Sequence, residues 1–311
     1  MDAFADLLRG IRADSAMFGR SVLSPPWSMR FAHDAELSMC AMMCGDGWLI
    51  GQDAEPISLL QGDVALVRGP APFVLTDRPG SEPTIVVYGP DRCTSTETGE
   101  DLSERNRLGP RSWGSPSGGG TSTMLVGACR ASGVVCDRLL AALPPILVVP
   151  ADGTPCPEFE LLAREIAADR PGQQVILDRL LDLLLVATLR DWFDRPEAEP
   201  PAWYRALGDP VVGTVLRAVH DAPARPWTVA ALAAEAGVSR ATLAKRFTEL
   251  VGEPPLSYLT GWRMTLAADL LRHEDATVAA VAAKVGYADG FAFSAAFKRV
   301  RGVRPSTVRT G

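Results

Sequence analysis

The chain has 311 residues, more than one hydrophobic core ordinarily organises, so two domains are the expectation. Apolar residues make up 47% and charged residues 22%, a globular composition with enough apolar material for a core in each domain. The net charge of −6 would exclude a nucleic-acid partner if it were evenly spread, but residues 1–201 carry 17 Lys+Arg against 28 Asp+Glu (−11) and residues 202–311 carry 14 against 9 (+5).

The first residues, MDAFADLLRGIRADS, place acidic side chains where a secretory signal would be basic, so no signal peptide is expected. Residues 20–150 alternate short apolar runs (WLIG, ISLL, VALV, TIVVYG, MLVGAC, ILVVP) with turn residues, which predicts an antiparallel β sandwich or barrel. Residues 110–122, PRSWGSPSGGGTS, have the composition of a flexible loop. From Pro157 the period becomes helical, with helices expected over 157–168 and 173–193 around a break at Arg170-Pro171-Gly172. The second is apolar around most of its circumference, beyond the single stripe a surface helix needs. Burial within its own subunit is one explanation. A homodimer seam through Leu177, Leu180, Leu181, Leu184 and Leu185 is the favoured one. The run Val175 to Leu189 contains Asp178, Arg179 and Asp182, so no membrane span is expected. A cytoplasmic location follows, in which Cys40, Cys44, Cys93, Cys129, Cys136 and Cys156 would be reduced thiols.

DRPEAEPP (194–201) reads as a proline-rich linker. The expected division is therefore a β domain over 1–156, a helical dimerisation segment and linker over 157–201, and a helical domain over 202–311. Its helices are expected near 210–221, 229–236, 240–250, 255–272, 278–285 and 290–300. The fold class is α+β.

Within that last domain one eleven-residue phrase occurs twice: TVAALAAEAGV at 228–238 and TVAAVAAKVGY at 277–287. Thr228 and Thr277 are placed as N-caps, and Gly237 and Gly286 supply the left-handed residue at which a short helix ends. A second helix follows each copy, with core positions Leu243, Phe247, Leu250 and Phe293, Phe297, Val300 at i, i+4, i+7. The alanine-rich first helices permit the close packing of a helix-turn-helix, and two such units make a pair of major-groove readers. All three lysines (Lys245, Lys284, Lys298) lie here, as a basic nucleic-acid module joined to an acidic domain would have them.

LAAEAGVSRATLAKRF, GEPPLSYLTGWRMTLAADLL and VAAVAAKVGYADGFAFSAAFKRVRGVRP together resemble the AraC/XylS family of bacterial transcription regulators over about 110 residues. ISLLQGDVALVRGPAPFVL resembles the cupin-like sensor half found in one branch of that family, and LLVATLRDWF and WYRALGDPVVGTVLRAVHDAPARPWTV resemble the segments that join sensor to reader. The resemblance implies a homodimer with double-stranded DNA, RNA polymerase and an unknown small-molecule effector as partners, more often an activator than a repressor. It implies a long linker helix at 255–272 holding two recognition helices about one DNA turn apart, roughly 34 Å. The family's groove-facing positions fall on Arg240, Ala241, Ala244, Lys245 and Thr248, with Thr242 and Arg246 beside them. In the second unit they fall on Gly290, Phe291, Ala292, Ser294 and Ala295, which offer almost no hydrogen-bond donors. The first helix is thus expected to carry most base readout. The second is expected to hold the backbone through Lys298, Arg299 and Arg301, with apolar contacts to thymine methyls.

No enzyme chemistry is expected. Cupin metal sites need several histidines, and the chain has only His33, His220 and His273, with Phe73 at the turn where sensor cupins often carry one. No nucleophile elbow, phosphate loop or dinucleotide fingerprint occurs. Neither a metal nor a cofactor is therefore expected, and the effector pocket is assigned to Met39, Met42, Trp48 and Phe73. A thiol-based oxidant or electrophile sensor is the alternative: Cys40 and Cys44 would share one face of a regular strand, and Arg92 beside Cys93 would favour its thiolate. Less favoured alternatives are a metal-independent cupin enzyme and a cysteine-based DNA-repair protein, whose zinc site would need closely paired cysteines.

Overall fold

The computed structural model describes residues 3–8, 11–13, 19–89, 92–109, 111–114, 122–131, 133–151, 157–168, 170–196, 198–272 and 276–309. Cys156, His273 and most of the loop expected at 110–122 lie outside the described residues. Contacts divide the chain into two compact units, one of Ile11–Ala131 with Leu143–Ala198, the other of Met1–Gly10, Ser132–Ala142 and Glu199–Gly311.

In the first unit the strands are β1 (Ile11–Ala13), β2 (Gly19–Leu23), β3 (Ser28–Phe31), β4 (Leu37–Cys44), β5 (Gly47–Ile50), β6 (Ile57–Leu59), β7 (Val64–Arg68), β8 (Phe73–Thr76), β9 (Ile85–Gly89), β10 (Arg92–Ser95), β11 (Arg107–Gly109), β12 (Ser112–Gly114), β13 (Ser122–Ala131) and β14 (Ile146–Val149). One sheet runs β11-β12-β2-β13-β4-β7-β14 with β1 also on β13; the other runs β10-β9-β3-β8-β5-β6. Pairing is antiparallel except for β2 with β12 and β3 with β9. Alternate residues of facing strands meet in a shared core: Met29 and Phe31, Cys40 and Met42, Ala65 and Val67, Phe73 and Leu75, Met124 and Val126. This is the period-two signature of strands with one face turned to the core. The Phe31 and Phe73 rings stack at 4.9 Å across the β3–β8 pair.

The outer face of the larger sheet is buried too, through Leu37, Met39, Leu66 and Cys129. Helix α4 (Gln173–Phe193) packs there against β1 and β14. Its Leu177, Leu181, Leu184, Leu185 and Leu189 are all buried inside the unit, whereas Val175, Ile176 and Leu183 are 62%, 47% and 48% exposed. Gln173, buried at its start, donates to the carbonyls of Glu165 and Ala168 and so closes the end of α3 (Pro157–Ala167). Arg111 donates to Gln173 and Gln174, tying the turn before β12 to the same corner.

The second unit is helical: α5 (Ala202–Leu207), α6 (Val212–Asp221), α7 (Val229–Glu235), α8 (Arg240–Val251), α9 (Pro255–Leu271), α10 (Val278–Lys284), α11 (Gly290–Arg301) and α12 (Pro305–Arg309). Two segments from far upstream belong to it, α1 (Ala3–Leu8) and α2 (Val134–Leu140). The division expected along the sequence assigns both to the β domain. Packing does otherwise, because α2 buries Val135, Cys136, Leu139 and Leu140 and lies against α1 and α9. On α1, Asp6 stands 2.9 Å from Nδ1 of the buried His220, whose Nε2 is 2.9 Å from the Tyr258 hydroxyl on α9.

Candidate nucleic-acid interface

Both helix-turn-helix units are built by local capping. Thr228 accepts from the Ala231 N–H and Thr277 from the Ala280 N–H, each at 3.1 Å, so α7 and α10 start at the repeated threonines. Gly237 and Gly286 sit at φ of 65° and 83°, the left-handed turn that the repeat implies. Leu243 and Phe247 of α8 and Phe293 and Phe297 of α11 are fully buried, as their spacing predicts. Leu250 and Val300, the third member of each set, are exposed, because the seven-residue first helices cover only about two turns of the second.

The second helix of each unit starts at its own cap. Ser239 accepts from the Thr242 N–H at 3.1 Å and lies 2.9 Å from the Thr242 hydroxyl. Asp289 accepts from the N–H groups of Phe291 and Ala292. Beyond these caps the two helices present different chemistry. On α8, Arg240, Ala241, Lys245 and Thr248 are exposed and Ala244 is half-buried. The Lys245 ammonium has only a loose contact with Glu249, at 3.9 Å. Thr248 and Thr242 are engaged locally, the former donating to the Ala244 carbonyl.

Arg246, placed beside those positions by the sequence, has a partner within its own unit. Its guanidinium donates to Oδ2 of Asp209 from Nε at 2.9 Å and from Nη2 at 2.6 Å, and from Nε to Oδ1 at 3.2 Å. Asp209 in turn accepts from the N–H groups of Val211 and Val212 at the start of α6. The Arg246 guanidinium holds the Asp209 carboxyl below the usual carboxylate range. A side chain committed to a bidentate pair gives up little to a passing phosphate. Asp209 lies 37 residues upstream, which is why the pair is invisible in the α8 sequence.

On α11, Phe291 is 88% exposed, Ala292 and Ala295 are exposed, and Gly290 and Ser294 are half-buried. Lys298, Arg299 and Arg301 are exposed at its C-terminal end. Donors thus cluster on α8 and at the far end of α11, and the start of α11 is an apolar face capped by a carboxylate.

The residues suggested for an effector do not converge on one space. Met42 and Phe73 face the core between the sheets. Met39, opposite Leu66, is buried on the other face of the larger sheet, and Trp48 is half-buried on the side of β5 opposite Leu49. Successive strand residues alternate, so one strand cannot send Met39 and Met42 the same way. His33 lies edge-on to both Phe31 and Phe73, and burial lowers its pKa.

The thiols are also separated. A bulge in β4 at Met43 pairs Cys44 with Thr123 while Met42 pairs with Met124, so Cys44 turns to the face opposite Cys40. Cys40 is buried and its thiol is pushed up to about 12. Cys93 is buried, its backbone N–H donates to the Ser103 hydroxyl at 2.9 Å, and burial raises its thiol pKa. The Arg92 guanidinium lies over the Tyr88 ring at 5.1 Å, so the expected activation of Cys93 by its neighbour is absent from this geometry. Among the described residues no three His, Cys, Asp or Glu side chains gather as a metal site, and no helix is long and apolar enough to cross a membrane.

A cupin family profile matches residues 2–194 and a helix-turn-helix domain profile matches residues 232–311. An AraC-like transcription regulator of Streptomyces lividans is 35% identical over 99% of this chain and 98% of its own length. A regulator of the same description from Streptomyces antibioticus is 33% identical over the same shares of the two chains. The transcriptional regulator AlkR of Acinetobacter baylyi is 38% identical over 138 residues, 44% of this chain and 45% of its own.

Proposed function

The chain belongs to the family of AraC-like transcription regulators, and from that premise we propose how its parts divide the work. It is a DNA-binding transcription regulator. It acts in the cytoplasm as a homodimer, activates transcription through RNA polymerase, and catalyses no reaction. The N-terminal half, residues 1–156 along the sequence, is the sensor, residues 157–201 carry the dimer contact, and residues 202–311 bind the operator. The two recognition helices make different contacts. Base edges are read by α8 through Arg240 and Lys245, and α11 grips the backbone through Lys298 and Arg299 while Phe291 meets thymine methyls.

One observation carries this reading, the unequal chemistry of the two exposed helix faces. Reading a base edge needs a donor or acceptor aimed into the groove. Arg240 and Lys245 supply donors, whereas Phe291, Ala292 and Ala295 supply none. The sensor takes a small, mainly apolar effector without metal. The apolar character of the core between the sheets, to which Met42 and Phe73 belong, supports that chemistry. The burial of Cys40 and Cys93 weighs against the thiol alternative.

Sequencing the genomic fragments retained by the purified full-length protein tests the division of labour. The expected motif has one well-defined half, contacted by α8, beside a degenerate half limited to A·T preference. Equal information in both halves would overturn it.

A further inference from the structure

The two repeated turns look alike in sequence but not in their surroundings. Around Gly237 a Cβ would meet nothing within 4 Å, so that glycine is required only for its left-handed backbone. At Gly286 a Cβ would come within 2.5 Å of the Ala224 carbonyl oxygen and 2.8 Å of the Ala224 Cα. The turn of the second unit therefore rests directly on the loop that enters the first. That loop is itself braced: the Trp227 indole donates to the Ala222 carbonyl, and Arg225 lies over the Trp227 ring at 4.1 Å.

Arg263, midway along α9, fastens the same junction. It donates from Nε to the Pro223 carbonyl at 2.7 Å and from Nη2 to the Arg225 carbonyl at 2.8 Å. Its guanidinium also lies 5.7 Å from the centre of the Tyr287 ring, next to Gly286, and Tyr287 packs on Phe293 of α11. One planar side chain thus touches the loop before α7 and the turn before α11. A linker helix alone would leave the two units free to swing at its ends. Three contacts around one residue remove that freedom.

We infer that Arg263 and Gly286 are positioning residues that fix the separation and angle between the two recognition helices, and hence the spacing of the two DNA elements this protein accepts. Each added base pair moves one element by ~3.4 Å and turns it by roughly 35°, so a rigid pair of helices tolerates one spacing and a loose pair several. The inference rests on both α8 and α11 meeting DNA.

The test uses the full-length protein and duplexes carrying its two selected elements with spacers one or two base pairs shorter or longer than the preferred one. Wild type is expected to lose affinity on the order of tenfold for each step away from its preferred spacing, the scale of a lost base contact. Arg263→Lys keeps the charge but cannot reach two carbonyls and a ring at once, and should bring adjacent spacings to within about twofold of one another. Gly286→Ala should do the same, while Gly237→Ala, also at a positive φ but with no neighbour, should weaken all spacings by one common factor. If Arg263→Lys and Gly286→Ala instead keep the wild-type ranking of spacings, the positioning role is overturned. If wild type itself shows no spacing preference, the two-element reading fails and takes this inference with it.

Discussion

The Asp269 carboxylate, near the end of α9, accepts the backbone N–H of Val135 at 3.1 Å and also that of Val134. It therefore caps α2, a helix that the chain makes between β13 and β14. Asp269 and Val135 are 134 residues apart in the chain, yet the interaction is of the ordinary helix-capping kind, with an anion at the positive end of a helix. The half-buried carboxylate loses more solvation than these two hydrogen bonds return, and burial raises its pKa.

Replacing Asp269 separates the two effects. Asp269→Ala should remove the cap and cost roughly 0.5–2 kcal/mol of α2 docking. Amide exchange in 134–140 should then quicken while that of α8 stays unchanged. A raised folded pKa means that the folded state holds the proton more tightly, so this group's contribution is most favourable below its unfolded pKa and declines as pH rises through the folded one. Asp269→Asn should therefore flatten the difference in stability between acid and neutral pH relative to wild type. Unchanged exchange in 134–140 for Asp269→Ala would count against the cap.

Lys245, Arg246 and Lys298 should separate into three phenotypes. Lys245→Ala should relax base preference at one or two operator positions, at about 1–3 kcal/mol for the lost contact. Lys298→Ala should weaken all DNA alike and reduce the salt slope. Arg246→Ala should leave the selected motif intact, because the guanidinium is already held by Asp209. The lowered Asp209 pKa makes this pair's stabilisation present above the unfolded carboxylate pKa and lost as pH falls through the folded value. Carbon-13 titration of Asp209 should accordingly show its midpoint rising in Arg246→Ala. A selected motif that changes with Arg246→Ala would show that the pair opens on DNA.

What the sequence makes legible here is what capping and short-range periodicity encode. Thr228, Thr277, Gly237 and Gly286 act within three or four residues of themselves, and the helices expected from them at 229–236 and 278–285 end within one residue of those observed. What stays hidden depends on distant partners. VVCDRLL (134–140) is a short apolar stretch that periodicity alone assigns equally to strand or helix, and its cap lies on α9. Met39 and Trp48 suit a pocket by side-chain type, but strand register sends each to a face away from Met42 and Phe73. One bulge residue, Met43, reverses the direction of Cys44. Strand order is equally opaque, since β2–β12 and β3–β9 join segments far apart in the chain.

Cys93 should be a slow thiol. Burial raises its pKa, and the thiolate is the reactive form, so alkylation by iodoacetamide at neutral pH should run well below the rate of the exposed Cys44. The Cys93 rate should still be climbing as pH passes that of an ordinary thiol. Cys93→Ser should leave DNA binding and reporter output unchanged under hypochlorite. A response to oxidant that disappears with Cys93→Ser would restore the thiol-sensor alternative.

The dimer contact can be tested by charge placed on either side of α4. Leu184 is buried against the unit's own core, so Leu184→Glu should unfold or aggregate the protein, at a cost of about 3 kcal/mol or more. Leu183 is 48% exposed on the same helix, beside the outward-facing Val175 and Ile176. An apolar group in that position gains little by staying in water, and a second copy of the helix would cover it. Leu183→Glu should consequently keep the thermal midpoint of wild type while shifting the mass in solution from dimer to monomer. Sedimentation of both variants, with circular dichroism to verify folding, reads the two effects apart. Folded Leu183→Glu dimers of wild-type affinity would place the seam elsewhere than α4.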